Sequence, residues 1–174
     1  MDAHGSGGVS LGLLTRYGLT LASASSEEHV GYETIGATTS FNNTNQAGYE
    51  FTVGAADITV TALRGYARAT GTDYTLRLWR VSDEENLASI DHVSLTESEW
   101  GEAELSSAIT LAAGANYIVT IRGGSAMWRD TDIASAVFND AITFVAGRRV
   151  TNNTFPSTVV ADEPRGLADI KFTT

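Results

Sequence analysis

The chain has 174 residues, no cysteine and a formal net charge of −10 at pH 7. That length suits one domain of ordinary size with a core of its own, and the missing thiols exclude disulfides and thiolate metal sites. The acidity argues against nucleic acid as a partner, because a sequence-independent binder needs a basic surface to displace counterions from phosphates.

Hydrophobic residues make up 43% and charged residues 18%, and Gly, Ser, Thr and Asn fill many of the gaps. This is the mixture of an all-β protein with many turns. Of the 11 basic residues only Lys171 is a lysine. The N-terminus, MDAHGSGG, lacks the basic stretch and apolar run of a signal peptide, and no apolar run is long enough to span a bilayer, so a soluble protein without membrane insertion is expected.

Residues 1–40 read as an extended arm. Gly5, Gly7, Gly8, Gly12, Gly18, Gly31 and Gly36 interrupt short apolar pieces, and Leu11, Leu13, Leu14, Tyr17 and Leu19 are the residues expected to dock it. The arm either adds strands to its own domain or lies against a neighbouring subunit. A β-sandwich domain is expected over residues 41–174. From Gly48 a period of two takes over, with Tyr49, Phe51 and Val53 alternating with Glu50 and Thr52, as a half-buried strand requires. In ITVTALRGYAR, Ile58, Val60 and Ala62 fall on one face and Thr59, Thr61 and Leu63 on the other. After a turn at residues 69–72, Tyr74, Leu76 and Leu78 face the core while Arg77 and Trp79 share the opposite face. The stretch SDEEN, residues 82–86, is a loop, and LASIDHVSL is the return strand of a hairpin.

Two further strands follow, one carrying Leu105, Ile109 and Leu111, the other Tyr117, Val119 and Ile121, with a turn at Gly114 between them. Residues 125–140 are the least regular, and a short helical turn is expected around 132–137. AITFVAG, a loop holding Thr154, Phe155, Pro156 and Ser157, and a last strand with Ala168, Ile170 and Phe172 complete a set of about eight to ten strands, the number and spacing of a sandwich.

Trp79 sits between Arg77 and Arg80 in LRLWR, and two readings compete. A flat indole face stacks on sugar C–H groups while flanking Arg binds hydroxyls; otherwise Trp79 fills the second face of the sheet and Trp100 anchors a turn. Trp128, beside Arg129 in the irregular stretch, is the stronger candidate for a ligand or an interface. No metal centre is expected, although Asp130, Asp132, Asn139 and Asp140 form an oxygen-rich group of the kind that can hold Ca²⁺. The acidic run Asp83, Glu84 and Glu85 reads as a solvated turn. His4, His29 and His92 belong to no metalloprotease pattern, there is no Gly-x-Ser-x-Gly elbow, and the Gly-rich pieces lack the Lys-Ser/Thr of a phosphate loop. Neither a catalytic residue nor a cofactor is expected. Asn42-Asn43-Thr44 and Asn152-Asn153-Thr154 are formal glycosylation acceptors that read as turns.

Several stretches occur in the order of a known family: YEFTV at 49–53, ITVTALRGY, Tyr74 through Leu78-Trp79, Leu87-Ala88-Ser89, Trp100-Gly101, LAAGANYIVT, Phe155-Pro156 and the terminal LADIKF. Together they resemble a β-sandwich accessory domain of unknown function that occurs in secreted bacterial carbohydrate-associated proteins and in short phage virion proteins. The resemblance spans residues 48–174. It implies a jelly-roll-like antiparallel β-sandwich with a binding or structural role rather than an enzymatic one. An arm plus a single sandwich looks most like the phage versions, so the expected protein is a capsid decoration or tail component assembled in the host cytoplasm. Its expected partners are other virion proteins and further copies of itself. The alternative is a carbohydrate-binding module acting in host-surface adhesion, with Trp128, which lies outside the family's pattern, and Trp79 as its platforms. Neither the signal peptide nor the attached catalytic domain of the secreted form is expected for this chain.

Overall fold

The computed structural model describes residues 27–32, 35–42, 46–123, 126–130, 138, 140–161, 163 and 166–174. These form β-strands joined by turns, with no helix among the described residues. The strands are β1 (Glu28–Val30), β2 (Thr38–Asn42), β3 (Gln46–Val53), β4 (Ile58–Tyr66), β5 (Gly71–Arg80), β6 (Asn86–Leu95), β7 (Trp100–Leu111), β8 (Asn116–Arg122), β9 (Ala126–Asp130), β10 (Ile142–Val150), β11 (Thr158–Val160) and β12 (Ala168–Thr173). A four-stranded sheet runs β1-β12-β4-β7, a six-stranded sheet runs β11-β10-β3-β8-β5-β6, and β2 pairs with β9. Every named pair is antiparallel.

The order β1-β12-β4-β7 packed against β3-β8-β5-β6 is the wrapping of a jelly roll, in which the chain crosses repeatedly between two sheets. The pairs β2-β9 and β10-β11 are additions to that plan. The core lies between the sheets and takes the alternate residues that the sequence pattern marks: Tyr49, Phe51 and Val53 from β3, Leu76 and Leu78 from β5, Val119 and Ile121 from β8, and Ile170 and Phe172 from β12. Burying each large apolar side chain contributes about 1.5–3 kcal/mol.

One face assignment differs from the sequence pattern. Leu63 falls with Thr59 and Thr61 in a strict period of two, yet it is buried in the core. The register explains this: Phe172 pairs with Val60 and Lys171 with Ala62, so β4 carries an extra residue there, and the bulge inverts its phase. The strands β2 and β9 also go beyond the expected set, and β9 places Trp128 on a strand rather than in a loop. The helical turn expected at 132–137 lies outside the described residues, as do Leu11, Leu13, Leu14, Tyr17 and Leu19.

Within the segment read as an arm, residues 28–30 are the outer strand of the four-stranded sheet, and residues 38–40 belong to β2. Gly31 is what lets the chain leave β1 so close to the core. A Cβ there would lie 2.6 Å from Ile142, 2.7 Å from the Asp169 carboxylate and 2.9 Å from the Tyr49 hydroxyl.

Candidate functional site

The last strand sets an acid in an apolar run, Ala168-Asp169-Ile170, and Asp169 is fully buried. A buried carboxylate is costly unless hydrogen-bonded and paired. Asp169 meets both conditions by drawing on three other segments. Arg64 of β4, its cross-strand neighbour, donates from Nη1 to Oδ2 at 2.9 Å. The Tyr49 hydroxyl of β3 donates to Oδ1 at 2.8 Å, and the backbone N–H of Tyr32, just past β1, donates to Oδ2 at 3.0 Å. Burial pushes the Asp169 carboxyl up to about 6 in spite of Arg64, which pulls the other way. Burial likewise raises the Tyr49 hydroxyl well above the usual tyrosine range, and the Asp169 charge adds to that.

The same segment is held a second time. The Tyr32 hydroxyl donates to Asp130 of β9, and the Gly36 N–H donates to the same carboxylate oxygen at 2.8 Å. The Tyr32 ring packs edge-on against Trp100 and Phe138, with centroids 5.9 and 5.7 Å away. Arg64 lies over the Trp100 ring at 4.8 Å and pairs with Glu102 at 3.3 Å. Lys171 of β12 pairs with Glu28 of β1 at 3.2 Å and with Glu102 of β7 at 3.4 Å. A ladder of charges therefore crosses all four strands of this sheet and ends on β1.

Trp79 and Arg77 share a face, as the alternation requires, but that face is covered. Trp79 is only 5% exposed, with Phe155 edge-on to its ring at 6.1 Å, and Arg77 is 8% exposed. Arg77 donates to Gln46 at 2.6 Å, to Ser89 at 3.2 Å and to Asn153 at 3.1 Å, and burial lowers its pKa from the ordinary arginine value. The loop 151–157 lies over this face of the six-stranded sheet, which overturns the reading of Trp79 as a sugar platform: its faces are spent on packing. Next to it Glu50 is buried, paired with Arg148 and accepting from Asn116 at 2.8 Å.

Trp128 is half-buried on β9, with the Arg68 guanidinium 5.4 Å from the ring centre. The backbone of Arg129 pairs with Thr39. Asp130 is corrected as a cation ligand, since it is fully buried and its Oδ2 accepts from both Tyr32 and Gly36. Asp140 is exposed, Asp132 and Asn139 lie outside the described residues, and no group of three acidic or histidine side chains suited to a metal is found among the described residues. In the SDEEN turn, Asp83 and Glu85 both pair with Arg80, and that hydrogen bond draws the Asp83 carboxyl below the usual carboxylate range.

A third feature lies at the opposite edge of the four-stranded sheet. Among the described residues, β7 has β4 as its one neighbour there, and β6 has β5 as its one neighbour in the other sheet. Between the two edges runs a cleft of about 270 Å³, lined by Leu87, Ala88, Ile90, Leu105 and Ile109 together with Ser side chains. Sequence reasoning missed both the hub at Asp169 and this cleft. A lone Asp inside LADIKF was the available signal for the first; the second depends on which strands end up at the margins. No family model matches the chain, and no curated protein matches it.

Proposed function

We propose that the chain is a non-enzymatic structural component of a bacteriophage virion, a capsid decoration or a tail- or fibre-associated protein, that docks through its N-terminal arm. The observation that carries this reading is the double anchorage of residues 28–36. β1 pairs with β12, Asp169 takes the Tyr32 N–H, and Asp130 takes the Tyr32 hydroxyl and the Gly36 N–H. A tether transmits load only if its root is fixed. Here the root is fixed by buried charge-assisted bonds, the strong kind. Two fully buried acids, Asp169 and Asp130, thus hold the segment that follows residues 1–26 in the sequence.

The mechanism is association. Repeated display on a particle multiplies weak contacts, so a modest interface per copy suffices. The net charge of −10 opposes non-specific clumping of copies and discourages capture of free nucleic acid. Deleting residues 1–26, which spares β1, is expected to abolish incorporation into particles while leaving the unfolding midpoint unchanged. Unchanged incorporation would remove the arm from the account.

Trp128 favours a second reading, a carbohydrate-binding module in host attachment, because a half-buried indole carrying an Arg is a suitable partner for a sugar ring. Glycan-array binding that disappears in Trp128→Ala would establish it over the first.

A further inference from the structure

We propose that the cleft between β6 and β7 receives residues 9–21 of a second copy of the chain, which add to this edge as an extended strand. The inference rests on the docking reading above and names the partner of the arm.

The cleft is suited to β-augmentation, in which main-chain bonds give affinity and side-chain pockets give register. Among the described residues, β6 and β7 each lack a second neighbour in their sheets. Over residues 60–62 of β4 the partner residues on β7 run from Ile109 to Glu104, so three extra residues stand out of that ladder where Leu105 and Ser107 line the cleft. Edge strands are ordinarily guarded by Lys or Pro; the sequences of β6, NLASIDHVSL, and β7, WGEAELSSAITL, contain neither, and 105–111 carries no charge at all. The cleft floor is apolar and half-buried at Leu87, Ile90, Leu105 and Ile109.

Residues 9–21, VSLGLLTRYGLTL, carry the matching pattern. Val9, Leu11 and Leu13 alternate with Ser10 and Gly12, and Tyr17, Leu19 and Leu21 alternate with Gly18 and Thr20, which gives one apolar face and a second of small residues interrupted by Leu14 and Arg16. Arg16 is the one charged residue of the segment, and exposed carboxylates stand on both strands of the cleft, Asp91 on β6 and Glu104 on β7. A second copy is favoured over the same chain by distance. β1 and β7 are opposite edges of one sheet, three strand spacings or about 14 Å apart before the cleft is reached. Residues 22–27 span at most about 20 Å when fully extended, so a chain could reach its own cleft only by lying taut across the sheet. A neighbour is under no such constraint.

Because the chain has no cysteine, disulfide trapping in the full-length protein tests this cleanly. Leu13→Cys and Ser107→Cys proteins, mixed and mildly oxidised, are expected to give a covalent heterodimer several-fold above that from Leu13→Cys mixed with Asp83→Cys, an exposed control position. A yield no higher than the control overturns the proposal. A fast-migrating cross-linked monomer from the Leu13→Cys/Ser107→Cys double variant at low concentration, in place of dimers, also overturns it. If trapping fails while deletion of residues 1–26 still abolishes incorporation, the cleft is wrong and the docking arm stands. If the deletion has no effect on incorporation, the docking reading itself has failed.

Discussion

The four-stranded sheet ends in two unlike edges. At β1 the chain is bolted down by Asp169, Asp130 and a ladder of ion pairs; at β7 the margin is apolar, free of charge over 105–111, and borders a cleft. The difference shows where buried charge is tolerated in this fold. Within the four-stranded sheet it is concentrated where a short strand of three residues, Glu28–Val30, could not hold itself by backbone bonds alone. A three-residue strand offers few ladder bonds, and each net bond contributes only about 1 kcal/mol. The long strand β7, with twelve residues, needs no such help, and among the described residues no strand pairs with its outer edge.

Breaking the bolt is expected to have the largest effect. Asp169→Ala strands the Arg64 guanidinium, itself only 8% exposed, without its buried partner, and a loss of about 3–5 kcal/mol in urea-unfolding free energy is expected. A loss below 1 kcal/mol would mean that Glu102 and the Trp100 ring suffice for Arg64. Next in size is Tyr32→Phe, which removes one donor from the fully buried Asp130 and is expected to cost about 1–3 kcal/mol. Amide exchange should report that loss first at residues 28–36, before the core strands respond.

The pH dependence sharpens the same comparison. The folded-state value for Asp169, about 6, lies above its ordinary value of 3.8, so the folded protein holds a proton that the unfolded chain has released. The contribution of this group is therefore fully present below about pH 4 and is lost as pH rises through about 6. Asp169→Asn mimics the protonated acid and removes that dependence. The stability of the wild type relative to this variant should fall between pH 4 and 6; a rise would show that Arg64 outweighs burial. The smallest effect belongs to the other edge. Ser107→Lys, exposed on β7, should change stability by no more than about 0.5 kcal/mol, yet it should suppress trapping at a nearby cysteine if a strand docks there.

Alternation alone made most of the sandwich legible. Tyr49, Phe51 and Val53, then Leu76 and Leu78, then Val119 and Ile121 reach the core as their spacing requires, and Arg77 and Trp79 do share the other face. The spacing could not reveal the bulge that turns Leu63 inward, because one extra residue in a strand is visible only against its partner's register. Nor could it tell that the Trp79 face is roofed by Phe155, a residue 76 positions later in the chain.

Local patterning thus determined that this chain folds as stacked antiparallel strands, which residues face inward along most of them, and that an alternating apolar segment precedes them. Those are properties of neighbours in sequence, fixed by the two-residue period of a strand and the turn residues between strands. The hub at Asp169 and the cleft beside β7 were decided by the tertiary structure. Tyr32, Tyr49, Arg64 and Asp169 come from four separate segments, and an edge exists only once the order of strands is set. Burial and strand order are relations between distant parts of the chain, and it is these relations that make one acid a bolt and leave one margin bare.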